Sequence, residues 1–247
     1  MINRSLIVFI PAGYPSREKT VDFMLSAHAD LLELGVPFSD PIADGALIQK
    51  AYFSALSTGF RLRDVFWIVK KFREQSDKKL VLMSYYNPIY RKGIENFVGE
   101  AYSAGVDAML VVDLPFDEAN EFVDVCRDIG MKNVFLAAPN TGEERLKAMD
   151  ELSEFIYLVS TYGVTGVREK VSSLAFKALD RVKKVCKKPV AVGFGISQRD
   201  HVFELLNAGA DGVVVGSAVV RLIEQFGEKA GEKIEEYTGL LNAINWY

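Results

Sequence analysis

Short apolar runs recur along the chain, separated by longer stretches whose apolar positions return every three or four residues. Ser5 to Ile10 is the first run, stopped by Pro11-Ala12-Gly13-Tyr14-Pro15, and 17–28 then carries a helical pattern. A second run, Asp30-Leu31-Leu32-Glu33-Leu34, releases a long loop. Helical stretches follow at 46–58 and 62–75, with Gly59 ending the first. Residues 79–84 predict a third strand, 85–90 a loop, and 93–104 a helix. Strands at 107–112 and 133–137 flank a helix over 117–129, and Pro139-Asn140-Thr141-Gly142 introduces another helix. Strands six to eight fall at 154–159, 189–193 and 211–215. Eight strands alternating with helices predict a parallel sheet. At 247 residues this favours a closed (β/α)8 barrel of the TIM type over an open doubly wound sheet, as a single domain over 1–247 with extra short helices in the loops after strands two and eight.

A weak internal repeat supports the count. Gly105-Val106-Asp107 and Gly209-Ala210-Asp211 each end a helix with glycine and start a strand, as His28-Ala29-Asp30 does without the glycine. His28 reads as a surface residue at a helix end. With 49% hydrophobic and 25% charged residues and a net charge of −4, nothing attracts nucleic acid. Cys126 and Cys186 lack metal-type spacing and point to a reducing compartment. The N-terminus runs straight into a strand and no long apolar stretch follows, so a cytoplasmic protein without membrane association is expected.

The chemistry is expected around Glu33. A central parallel strand is covered on both faces, so Glu33 should be flanked by hydrocarbon, where a carboxylate needs either a partner or a task. From this stretch alone, a structural Glu that caps an amide or meets a lysine competes evenly with a functional one. A second signal lies at Val192-Gly193-Phe194-Gly195-Ile196-Ser197 and Val215-Gly216-Ser217-Ala218. Their glycines let backbone amides approach an anion, and Ser217 opens a helix, as in the phosphate cups of barrels. Neither loop has a Walker lysine or the dinucleotide spacing, which argues against ATP and NAD. The long polar segment 160–171 reads as a lid, with Thr165 placed to meet a carboxylate. Two isolated histidines, at 28 and 201, make no metal cluster, and no serine or cysteine triad is evident.

The chain resembles the tryptophan synthase alpha subunit family. The resemblance rests on Glu-Leu-Gly-Val-Pro-Phe-Ser-Asp-Pro-Ile-Ala-Asp-Gly at 33–45, Tyr-Tyr-Asn-Pro-Ile at 85–89 and Asp-Leu-Pro at 113–115. Gly-Val-Thr-Gly at 163–166, Gly-Phe-Gly-Ile-Ser at 193–197 and Gly-Ser-Ala at 216–218 complete it, all in the family's order and over nearly the whole chain. Two departures concern the barrel: Pro11 stands where the family usually has threonine, and few residues precede strand one.

The resemblance implies cofactor-free retro-aldol cleavage of indole-3-glycerol phosphate to indole and glyceraldehyde 3-phosphate. Glu33 would be general acid and base, and Asp44 would hold the indole N–H. Phe9, Met83, Tyr85, Leu110, Tyr157 and Phe194 would form the indole pocket, and Gly166, Gly195, Gly216 and Ser217 would bind phosphate. The family pairs with a pyridoxal-phosphate beta subunit in an αββα complex, with contacts matching Asp40, Pro41, Asn87 and Pro115. A Glu33 shielded by apolar neighbours should titrate near neutrality, and Asp44, in a polar loop, should stay ionised. Three other readings are a free-standing indole-releasing lyase, a regulatory barrel that binds a phosphate ligand, and a related barrel enzyme acting on an anthranilate-derived ribose phosphate. The last would need a lysine or cysteine base near the strand ends, and none is apparent.

Overall fold

The computed structural model describes residues 1–159, 173–193 and 195–242. Eight parallel strands close in sequence order: β1 (Ser5–Pro11), β2 (Leu31–Gly35), β3 (Lys79–Ser84), β4 (Ala108–Val111), β5 (Lys132–Ala137), β6 (Phe155–Val159), β7 (Val190–Gly193) and β8 (Gly212–Val215). Pro11 does not prevent closure. It ends β1 opposite Gly35, while β1 pairs on its other edge with β8.

The helices are α1 (Arg17–Ser26), α2 (Ala46–Ser57), α3 (Leu62–Arg73), α4 (Tyr86–Lys92), α5 (Ile94–Ala104), α6 (Asn120–Ile129), α7 (Glu143–Leu152), α8 (Ser173–Val185), α9 (Arg199–Asn207), α10 (Ser217–Phe226) and α11 (Ala230–Asn242). Doubled helices follow β2 and β8 as expected. A third doubling, after β3, corrects the sequence reading, because residues 86–92 are helical rather than a loop. Pro88 lies in the first turn of α4, where its missing N–H breaks no intrahelical bond. Among the described residues, no helix is long and apolar enough to cross a membrane.

Two apolar layers result from strand alternation. Outward residues such as Val8, Leu32, Leu82 and Val192 pack against the helices, where α3 contributes Val65, Phe66, Ile68, Val69 and Phe72 at helical spacing. Inward residues such as Ile7, Phe9, Leu31, Val81, Met83 and Leu110 fill the barrel, and they are joined by Ile48, Ala51 and Tyr52 of α2. Helix α2 therefore reaches into the mouth of the barrel with these residues, while Ala55 joins the outer layer.

Strand pairs are clamped at the opposite end. Asp30 N–H donates to Leu6 O at 3.0 Å, and Leu6 N–H donates back to Asp30 Oδ2 at 2.8 Å. Asp107 and Leu80 exchange the same two bonds, as do Asp211 and Val190. In the β5–β6 pair Glu154 keeps the backbone half, to Asn133 O, while its carboxylate meets Lys132 and the N-terminal ammonium. The repeat seen in the sequence is thus an aspartate device. Gly105 and Gly209 have the positive φ of helix stops, as expected. His28 is at the surface, also as expected.

Candidate active site

A cavity of about 220 Å³ opens at the C-terminal end of the barrel, where barrel enzymes place their chemistry. Glu33 lines it from β2, level with Phe9 on β1 and Val81 on β3. Only 3% of Glu33 is exposed. Burial, and then the charge of Asp44, push its carboxyl up to about 8. Among the described residues, neither a capped amide nor a lysine contributes to that shift.

Asp44 lines the same cavity from the loop after β2. The expectation of a polar setting for Asp44 is corrected, while the raised carboxyl still lies below neutrality. It is 7% exposed, and burial lifts its carboxyl to about 6 against the opposing pull of a hydrogen bond from Tyr85. The loop turns inward because Asp44 N–H donates to Pro41 O at 3.0 Å, after which Gly45 leads directly into α2. Tyr85 Oη donates to Asp44 Oδ2 at 2.6 Å and accepts from Ala43 N–H at 3.0 Å. Phe38 stacks on the Tyr85 ring at 5.0 Å. The two carboxyls thus end above and just below neutrality, a separation that suits an acid and an anion in one cavity.

Of the expected indole pocket, Phe9, Met83, Leu110 and Tyr157 line the cavity. Tyr85 contributes through Asp44 rather than as a wall. Gly195, Gly216 and Ser217 line it as well, and Ser217 is the first residue of α10, so the amides of that helix face the opening. Phe194, Thr165 and Gly166, together with the lid segment 160–171, lie outside the described residues. The wall residues Val112, Leu136 and Val159 were missed, although each stands two positions beyond an inward residue, Leu110, Val134 and Tyr157. Asp40, Asn87 and Pro115 are exposed and Pro41 is half-buried, on connections after the adjacent strands β2, β3 and β4. Asn87 stands in the first turn of α4, not in a loop.

Cys126 and Cys186 are buried, and burial pushes their thiols up to about 12 and about 11, which makes them poor nucleophiles. Among the described residues, no group of three or more His, Cys, Asp or Glu side chains could hold a metal ion.

Known proteins place this geometry. The chain is 67% identical over 241 residues to the tryptophan synthase alpha chain of Archaeoglobus fulgidus, covering 96% of this chain and 97% of the relative. It is 52% identical over 243 residues to that of Pyrococcus furiosus, covering 96% and 98%. A chain in the crystal structure of the Pyrococcus furiosus tryptophan synthase complex superposes with a TM-score of 0.93 at 49% identity, covering 98% of this chain and 99% of that one. A chain of the a2b2 complex from the same hyperthermophile gives a TM-score of 0.94 at 51% identity, with the same coverage. The profile of the family described as tryptophan synthase alpha chain matches residues 2–244, and the chain belongs to that family.

Proposed function

We infer that this chain cleaves indole-3-glycerol phosphate to indole and glyceraldehyde 3-phosphate and acts as the alpha subunit of an αββα tryptophan synthase. The observation that carries the reading is a pair of carboxyls on one apolar cavity, held near about 8 and about 6, beside the helix N-terminus at Gly216 and Ser217. Near pH 7 Glu33 carries a proton and Asp44 is largely ionised. Glu33 gives its proton to C3 of the indole, which turns the ring into a leaving group. The Asp44 carboxylate accepts a hydrogen bond from the ring N–H and stabilises the positive charge that develops there. The glycerol hydroxyl then loses its proton to Glu33, the carbonyl forms, and the electrons of the broken carbon–carbon bond return to the ring. Glu33 ends the cycle protonated, so no cofactor is needed to balance the step.

Phe9, Met83, Leu110 and Tyr157 supply apolar walls for the flat ring. Gly195, Gly216 and Ser217 hold the phosphate through amides, with Phe194 and Gly166 assigned to the ring and the phosphate and Thr165 to the lid on the resemblance alone. Asp40, Pro41, Asn87 and Pro115 form the beta-subunit contact. This assignment is supported by their common side of the mouth and by Ile42 beside them, 84% exposed. Residues 1–247 are read as one domain, and a cytoplasmic setting is supported by two buried, unpaired thiols.

The test is indole release from indole-3-glycerol phosphate by the purified chain, with and without a beta subunit. Equal amounts of indole and glyceraldehyde 3-phosphate are expected, faster with the partner. No release in either case would end the proposal, and a rate indifferent to the partner would make the chain a free-standing lyase.

Two further results are expected. The profile of kcat/KM against pH should rise through about 6 as Asp44 ionises and fall through about 8 as Glu33 loses its proton. Activity that kept climbing above pH 9 would assign Glu33 the wrong starting state. Replacing Gly216 with valine should raise KM by about tenfold, the loss of roughly one hydrogen bond to a charged group. A Cβ there already comes within 3.3 Å of Phe9, so the added methyls cannot be accommodated without shifting the turn whose amides line the cup. An unchanged KM, or an unchanged inhibition constant for inorganic phosphate, would place the phosphate elsewhere.

A further inference from the structure

Tyr52 is the one polar side chain of α2 that is packed inside the barrel mouth and has no role in the account so far. It follows Ile48 by one helical turn, and both belong to the inner apolar cluster with Phe9, Met83 and Tyr85. Tyr52 is wholly buried, and its Oη has no hydrogen-bond partner among the described residues. A buried hydroxyl in that condition is costly to keep, since phenylalanine would fill the same space.

Gly35 tells where the hydroxyl lies. A Cβ built on Gly35 would overlap Tyr52 Oη and come within 2.6 Å of the Phe9 ring. Residues two apart on a strand share a face, so Gly35 stands directly above Glu33 on the inward side of β2, one step nearer the mouth. The space that an ordinary side chain would fill is taken by a phenol hydroxyl delivered from α2. The other tyrosine hydroxyl at this level, that of Tyr85, is already engaged by Asp44 and the Ala43 amide.

We propose that Tyr52 is a positioning residue for Glu33, and that its hydroxyl donates a hydrogen bond to the Glu33 carboxylate during the interval in which that carboxylate is ionised. The inference rests on the reading of Glu33 as the group that gives and retakes the proton. No proton leaves Tyr52. Burial, followed by the charge of Asp44, the neighbouring Tyr85 and the charge of Glu33, holds its pKa well above the ordinary tyrosine value, so it remains a donor throughout. Tyr157, the remaining titratable group among the described residues that faces Glu33 across the cavity, is held protonated in the same way, by burial first and then by Glu33 and Asp44. A neutral donor favours the ionised carboxylate without competing for its proton. Its effect opposes that of burial and of Asp44, and keeps the carboxyl from being trapped in the protonated form.

The test is Tyr52→Phe, which removes one oxygen and keeps the ring. We expect kcat to fall about tenfold and KM to stay within about twofold, as for a hydrogen bond to a charge that exists only once Glu33 has given up its proton. The alkaline limb of the pH profile should move up by about one unit. The same upward move should appear without substrate in a 13C NMR titration of glutamate-labelled protein, with the Glu33 signal assigned by Glu33→Gln. The melting temperature should hold or rise, because the hydroxyl satisfies no partner in the fold. A Glu33 titration identical in wild type and variant would overturn the proposal. So would a lower melting temperature with an unmoved pH profile, which would make Tyr52 a packing residue. If the NMR shift appeared in a protein that released no indole from its substrate, the pairing would stand and the assigned reaction would fall.

Discussion

Glu33→Gln is expected to reduce turnover by more than about a hundredfold while leaving KM close to that of the unaltered chain. Glutamine keeps the shape of the side chain and the apolar contacts with Phe9 and the cavity wall, so the substrate still has its site. It has no proton to deliver to a carbon. The same substitution carries a second expectation of opposite sense. The carboxyl is lifted from its ordinary 4.5 to about 8, so between those values the folded chain holds a proton that the unfolded chain releases. The contribution of Glu33 to stability is therefore full below about pH 4.5 and declines as pH rises to about 8, by an amount on the order of 4 kcal/mol. Glu33→Gln escapes that decline. The variant should melt above the unaltered chain at pH 8, and the difference should close toward pH 5. Wild-type turnover under conditions where chemistry limits the rate, or equal melting temperatures at pH 8, would remove Glu33 from the acid's role.

Asp44→Asn should lower kcat by roughly a hundredfold, the scale associated with a preorganised group that meets developing charge. Asparagine can still accept the Tyr85 hydroxyl through its carbonyl oxygen, so the loop from Pro41 to Gly45 should keep its inward turn. What disappears is the anion opposite the ring N–H. The residual activity should also lose the acid limb near about 6 that Asp44 imposes. A variant that kept that limb would show that some other group titrates there.

The alternation of apolar runs with helical stretches made the barrel legible, because each strand is buried on both faces and each connection has one buried stripe. Glu33 was legible for the same reason, as a carboxylate interrupting an apolar run. The environment of Asp44 was not. Its chain neighbours include Ile42, 84% exposed, and the loop reads as solvated, while its partner is a tyrosine from β3's end on which Phe38 stacks. Residues 86–92 misled in a different way, because Pro88 signals a loop unless its place in the first turn is known. Tyr52 and Phe53 are adjacent aromatics on one helix, and nothing local tells that the first is wholly buried and the second 73% exposed. The docking of α2 into the mouth decides it.

The clamps at the bottom of the barrel define a natural unit. In three of the four consecutive strand pairs an aspartate at the start of the second strand returns both of its bonds to the start of the first, and the fourth keeps the backbone half. Two strands with their connecting helices therefore form the smallest piece that closes this set of bonds by itself, and a single strand with its helix does not. A barrel assembled by duplicating that piece keeps every clamp at each doubling. One assembled strand by strand would leave a start-of-strand amide without its carboxylate at every odd step. The one departure is at Glu154, whose longer side chain pairs with Lys132 and the N-terminal ammonium instead of returning to the backbone of β5.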